Sequence, residues 1–117
     1  MTSSAQLSHF LGLLIALVFN LSLIAQTSLV SPKNGTITSA SPVEFIWNEL
    51  SGANSYRLVV SESNDFTSAI IDETGNFTSF TTGLPLGEGD YYWRVETDEN
   101  SLTFISPTFT FSIVDPS

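Results

Sequence analysis

The stretch GEGDYYWRVETDEN, residues 87–100, contains three consecutive aromatic residues followed by an arginine. Successive side chains of a β-strand point to opposite faces of a sheet, so a strand here divides this run into two sets. The first set is apolar and is expected to face a core: Tyr91, Trp93 and Val95. The second set carries the charges and is expected to face water: Tyr92, Arg94 and Glu96. The stretch therefore predicts a strand that buries one face.

The same alternation recurs before and after this stretch. From residue 26 onward, short runs of aromatic and β-branched residues are separated by turn-forming residues, and no run has helical periodicity. Seven strands are expected, at residues 28–30, 43–48, 55–61, 69–71, 77–81, 91–97 and 108–114. Their inward positions add six residues to the expected core: Phe45, Trp47, Tyr56, Leu58, Phe109 and Phe111. Seven short strands at this spacing are typical of a β-sandwich.

The chain contains no cysteine, which excludes disulfides, thiol catalysis and thiolate metal sites. Small exported domains often depend on disulfides for stability, so this chain must use its core instead. Each buried aromatic ring removes about 150–250 Å² from water, which is worth roughly 4–6 kcal/mol before conformational entropy is subtracted. A few such rings can replace a missing disulfide.

The N-terminal residues resemble an export signal. Residues 10–19 form an uninterrupted apolar run, FLGLLIALVF. A run of about ten residues has the length of a signal-peptide core and is short for a bilayer span. We expect residues 1–25 to be a helical signal peptide that is cleaved between Ala25 and Gln26. The alternative is an uncleaved membrane anchor over residues 7–25, which is the one membrane contact that the sequence predicts.

The remaining domain, residues 26–117, is strongly acidic. The chain has twelve acidic and three basic residues, and none of them precedes residue 26, so the net charge of −9 belongs to the domain. Three basic residues cannot neutralise a row of phosphates, which excludes nucleic acid as a partner. The same charge opposes docking on an anionic membrane surface.

No catalytic constellation is found in the domain. The chain's single histidine, His9, lies in the leader, so the domain has neither an imidazole base nor a histidine metal ligand. Two pairs of adjacent carboxylates, at residues 72–73 and 98–99, are interpreted as solvated loop charge. The segment ETDEN offers oxygen ligands for calcium but lacks the spacing of an EF-hand. We therefore predict no enzyme, no cofactor and no metal site.

Four segments together resemble the fibronectin type III family, in the form common in exported bacterial proteins: PVEFIWN, GANSYRLVVS, GEGDYYWRV and SPTFTF. The resemblance covers about residues 30–114. It implies an all-β, seven-stranded, immunoglobulin-like β-sandwich that follows the leader. It also implies that Trp47 is a core residue, that Tyr56 opens a strand, and that Tyr91 forms a tyrosine corner. The hydroxyl of such a tyrosine bonds back to the preceding loop. The family hosts many roles, so the resemblance predicts a fold rather than an activity.

One outward patch is a candidate ligand face. If the third and sixth expected strands pair, Arg57, Tyr92 and Arg94 lie on the same open face. An exposed ring beside two cations can form a cation–π cluster, stack on a sugar or hold an acidic partner. The alternative is ordinary cross-strand pairing on a wet sheet.

These observations predict an exported, non-catalytic module, secreted or at the cell surface, with a structural or binding role. Its partner would be an unidentified protein or a glycan. The alternative is a carbohydrate-binding accessory module of a secreted hydrolase, which depends on Tyr92. A free-standing enzyme is disfavoured, because no set of catalytic groups is present. An open strand edge could pair with another copy, but nothing in the sequence predicts an oligomer.

Overall fold

The computed structural model describes residues 26–115, which form two β-sheets and contain no helix. Along these residues lie nine strands: β1 Leu29–Ser31, β2 Thr36–Ser39, β3 Glu44–Trp47, β4 Ser55–Ser61, β5 Ala69–Gly75, β6 Ser79–Thr81, β7 Gly89–Glu99, β8 Leu102–Ile105 and β9 Phe109–Val114. One sheet has the order β1-β3-β6. The other has the order β2-β9-β7-β4-β5, and β8 also pairs with β7. The expected leader helix, with its cleavage site after Ala25, lies outside the described residues.

The all-β class is confirmed, and each of the seven expected strands has a counterpart. The described residues contain two strands more, β2 and β8. Strand β2 is four residues long and pairs in parallel with β9, a strand that is distant from it in the sequence. Strand β8 is the second arm of a hairpin with β7, joined through Asn100 and Ser101. Both turn residues have positive φ, 53° and 70°, as a two-residue type I′ turn requires.

Aromatic rings from both sheets fill the space between them. Phe45 of β3 meets Trp93 of β7 edge to face, with ring centroids 5.2 Å apart. Eight of the nine residues expected in the core are buried: Phe45, Trp47, Tyr56, Leu58, Tyr91, Trp93, Val95 and Phe111. Phe109 is only partly buried, because it lies at the start of β9, where it contacts Trp93 from the side. The two sheets therefore form a sandwich around an aromatic interior.

Strand β7 lies at the centre of the larger sheet. One of its edges pairs with β4, so that Leu58 lies opposite Val95 and Val60 lies opposite Trp93. The other edge pairs with β9 and then with β8. Because opposed residues share a face, both neighbours direct apolar side chains toward the same interior.

Ser106 joins β8 to β9 along this second edge. Its backbone N–H donates to the Val95 carbonyl at 2.9 Å. Its hydroxyl accepts from the Val95 N–H at 2.9 Å and donates to the Pro107 carbonyl at 3.0 Å. A proline has no N–H to give to a ladder, so the serine side chain completes the pairing beside it. The edge of β7 thus stays hydrogen bonded across the interruption.

The tyrosine corner expected from the resemblance is present at Tyr91. The phenol hydroxyl donates to the Gly87 carbonyl at 2.7 Å, in the loop before β7. The ring stacks on Phe111 with centroids 5.2 Å apart. Burial raises the pKa of the Tyr91 phenol above its ordinary value, and the Glu62 carboxylate adds to this shift. The corner ties the loop to the core.

The variant Tyr91→Phe keeps the ring but removes this hydrogen bond. We expect the free energy of unfolding at neutral pH to fall by about 1 kcal/mol, the usual net worth of such a bond. Chemical denaturation measures the change. Tyr92→Phe is the matched control, because its hydroxyl makes no hydrogen bond within the described residues. Equal losses in the two variants would contradict the role of the corner.

The raised pKa of the Tyr91 phenol also predicts how the free energy of unfolding depends on pH in the alkaline range. The unfolded chain ionises this phenol near a pH of about 10, while the folded chain resists ionisation to higher pH. The contribution of Tyr91 is therefore complete below that pH and is lost as the pH rises through the folded value. The stability of Tyr91→Phe should fall less steeply in this alkaline range than that of the parent chain or of Tyr92→Phe.

Candidate functional site

The structure places the three candidate ligand-face residues on the outer face of the larger sheet. Strands β4 and β7 pair in antiparallel fashion, as the candidate site required. In this register Arg57 lies opposite Glu96, and Tyr92 lies opposite Ser61. Arg94 lies two residues after Tyr92 on β7 and therefore shares its face.

An ion-pair network occupies this face. The Arg57 guanidinium binds Asp72 of β5 in bidentate fashion, through Nε to Oδ1 and Nη2 to Oδ2, each at 2.7 Å. Its Nη1 donates to Glu96 Oε1 at 3.2 Å. The other oxygen of Glu96 accepts from Arg94 Nη2 at 3.0 Å. Two cations and two carboxylates therefore alternate across β5, β4 and β7, and their charges cancel.

The hydrogen bonds of this network shift the ionisation of its members. The bidentate bond from Arg57 lowers the pKa of the Asp72 carboxyl below its ordinary value. The same bond, with help from Glu96, raises the pKa of the Arg57 guanidinium. Both side chains are almost half exposed, 45% for Arg57 and 47% for Asp72, so water screens much of their attraction. The network therefore fixes the orientation of its side chains more than it adds to the free energy of unfolding.

A cation–π contact is present on this face, but Phe66 makes it and Tyr92 does not. The Arg94 guanidinium carbon lies 4.2 Å from the centroid of the Phe66 ring. Phe66 belongs to the β4–β5 loop, which returns over the sheet. Its φ of 62° is in the left-handed region, and the neighbouring Asp65 accepts hydrogen bonds from the Thr67 amide and hydroxyl. The loop backbone thus holds the ring over Arg94.

This loop also changes the character of the outer face. Val59 of β4 lies on this outer face, yet only 3% of it is exposed. Arg94 lies directly opposite it on β7, and Phe66 covers Arg94. Val59 and Phe66 therefore place apolar side chains on a face that alternation alone predicts to be exposed to water.

Tyr92 is half-buried between two hydroxyl-bearing neighbours. Ser61 of β4 lies opposite it on one side, and Thr110 of β9 lies opposite it on the other. Within residues 26–115 its hydroxyl has no hydrogen-bond partner and its ring makes no ring contact. The structure therefore brings the three candidate residues to one face but does not join them into one cluster.

Three residues of this face were missed by sequence reasoning. The interpretation of the carboxylates at 72–73 and 98–99 as loop charge was wrong, because β5 extends to Gly75 and β7 to Glu99. Asp72 therefore lies on a strand, where it pairs with Arg57. Glu96 was placed on the wet face but not paired. Phe66 is a lone aromatic residue in the polar loop ESNDFTS, and that contrast is the signal that could have marked it.

Other site chemistries find no support in the described part of the chain. Between residues 26 and 115, no three acidic, histidine or cysteine side chains converge as a metal site requires. Over the same range, no helix has the length and apolar character needed to cross a membrane.

Comparison with known proteins finds similar folds among solved structures. No protein-family model and no curated protein matches the chain. A solved structure described as a Fn3-like protein from Clostridium thermocellum is similar, with 23% identity and a TM-score of 0.48. The match covers 79% of this chain and 90% of that one. The fibronectin type III-like fold of this chain is given by its own two packed sheets and its tyrosine corner, which the sequence resemblance implied.

The lowered pKa of Asp72 predicts an acid dependence of stability. The unfolded chain protonates this carboxyl near a pH of about 3.9, whereas the folded chain holds it ionised to lower pH. Its contribution is therefore present above that value and is lost as the pH falls through the folded pKa. In Asp72→Asn the free energy of unfolding should depend less on pH below about 4. At neutral pH the loss should be at most about 1 kcal/mol, because the pair is exposed.

Thermal unfolding between neutral pH and pH about 2.5 measures this dependence. Glu73→Gln, at the next position of β5, removes one carboxylate outside the ion-pair network and is the matched control. An identical acid limb in Asp72→Asn and the parent chain would show that the network does not form in solution.

Proposed function

We propose that this protein is an exported, non-catalytic module of fibronectin type III-like fold, with a structural or binding role at or outside the cell surface. This proposal depends on one observation: the large aromatic rings and the outer-face arginines already have partners within the fold. The large rings pack against one another between the sheets, and the arginines of the outer face are paired with carboxylates. Such a domain binds a partner at its surface or serves as a rigid structural unit.

The filled interior supports the non-catalytic part of the proposal. Catalysis generally uses a hollow where titratable groups converge with shifted pKa values. Here Trp47 contacts Tyr56 at 6.0 Å between ring centroids, and Phe45 contacts Phe111 at 5.8 Å. These contacts span the two sheets and occupy the space that a cleft would need. The shifted carboxyl of Asp72 is explained by its structural partner Arg57.

The leader supports export, and its processing can be tested directly. Protein isolated from outside the cytoplasm of the source cells should begin at Gln26 when its N-terminus is sequenced. The physical reason is the short apolar run of residues 10–19, which suits a signal-peptide core. A chain that lacks residues 1–25 is the control and should stay in the cytoplasm. Recovery of the parent chain in the cytoplasm with an intact N-terminus would contradict export.

The carbohydrate-binding alternative has one observation in its favour, the partly exposed Tyr92 ring between two hydroxyl side chains. A sugar can stack on such a ring. The neighbouring arginines are already paired, however, so the face offers no free cation to a sugar acid. The geometry therefore favours the structural or protein-binding role.

Retention on insoluble polysaccharides distinguishes the carbohydrate-binding role from the structural or protein-binding role. We expect the parent chain to be retained no better than Tyr92→Ala on cellulose, chitin or xylan. Tyr92→Phe keeps the stacking surface and controls for loss of the hydroxyl. Retention that Tyr92→Ala abolishes and Tyr92→Phe preserves would favour the carbohydrate-binding module instead.

A further inference from the structure

Among residues 26–115, one strand position at the edge of the larger sheet is only half filled. Strand β2 occupies its upper half, with Thr36 opposite Phe111 and Ser39 opposite Val114 of β9. The preceding turn reaches one residue further, because the Gly35 N–H donates to the Thr110 carbonyl at 2.8 Å. Before this turn, the chain lies in β1 of the other sheet.

Strand β8 borders the vacant lower half. It pairs with β7 on the same edge as β9, so β8 and β9 lie in line. Its far edge has no strand partner among residues 26–115. A free edge presents backbone N–H and C=O groups in a row, which an extended chain can satisfy.

The side chains of β8 do not protect this edge. Its sequence is LTFI, which contains no charge and no proline. Leu102 is 62% exposed and Ile105 is 44% exposed, although both are large apolar residues. The opposite edge of the sheet, β5, carries Asp72 and Glu73, a usual means of discouraging strand addition. The two edges are therefore unequal.

The charge behind β8 indicates which chain would fit. Asp98 of β7 lies opposite Thr103 and makes no ion pair within the described residues. Glu99 points to the other face, where its carboxylate lies against Gly52 of the β3–β4 turn. Strand β7 is two strand spacings, about 9.6 Å, from the vacant position, within reach of a long basic side chain. A second copy of this chain would bring another net charge of −9 to the same edge.

We infer that the vacant half-position beside β8 binds an extended segment of a partner protein in which apolar and basic residues alternate. The segment adds as a strand, its backbone pairs with β8, and its apolar residues cover Leu102. Its basic residues lie on the opposite face and approach Asp98. This inference rests on the proposed role as a binding module and names the surface and the chemistry of its partner.

A capped synthetic peptide of alternating lysine and valine tests the inference on the purified chain. We expect it to slow hydrogen exchange at the amides of β8 and to leave those of β5 unchanged. Leu102→Lys should weaken binding by about tenfold or more. Ile37→Lys is the matched control, because Ile37 lies at the other uncharged edge, on β2, and is 71% exposed. Both sites are exposed, so both variants should keep the parent melting temperature.

Three further measurements complete the test. The variant Asp98→Asn leaves the apolar edge intact and should reduce the salt dependence of binding. A glutamate–valine peptide, and a lysine–valine peptide interrupted by proline, should both fail to bind.

Protection at β2 or β5, or no binding by the lysine–valine peptide, would overturn the inference. Concentration-dependent dimers that Leu102→Lys dissolves would replace the partner with a second copy. A chain that is exported and cleaved at Gln26 but ignores the peptide would refute this inference alone and leave the proposed function standing.

Discussion

The contact between Trp93 and Phe45 is the constraint on which the rest of the molecule depends. Both rings are fully buried, and their edge-to-face contact joins the central strand of one sheet to the central strand of the other. A ring of this size contributes roughly 4–6 kcal/mol of burial before entropy is subtracted. The chain has no cysteine, so such contacts take the place of covalent links between the sheets.

This contact also determines which side chains of β7 face the solvent. Once Trp93 points inward, Tyr92 and Arg94 must point outward, because a strand alternates its faces. A slip of one residue would bury a guanidinium and expose an indole, which makes the register of β7 strongly specified. The register in turn places Glu96 opposite Arg57, where one carboxylate bridges two cations. The interior thus determines the outer ion-pair network.

The period-two pattern could predict the core and most strands, because burial of alternate residues is a local property of sequence. It could not predict β8, since Asn100 and Ser101 adopt positive φ without a glycine to mark the turn. Strand β2 was missed because its pairing with β9 joins residues more than seventy positions apart. The place of Phe66 depends on its own positive φ and on a loop that returns over the sheet. Long-range contacts and turn geometry account for these differences.

The outer ion-pair network has an electrostatic consequence for the whole domain. Two arginines and two carboxylates cancel there, so the other ten carboxylates, against Lys33, carry the entire net charge of −9. The acidic field therefore comes from loops, strand ends and edges rather than from the centre of the larger sheet. Partners that approach from a distance are selected by this field, while those that dock must meet a local surface. The hairpin end of β7 combines both properties, because the unpaired Asp98 carboxylate there lies beside an uncharged strand edge.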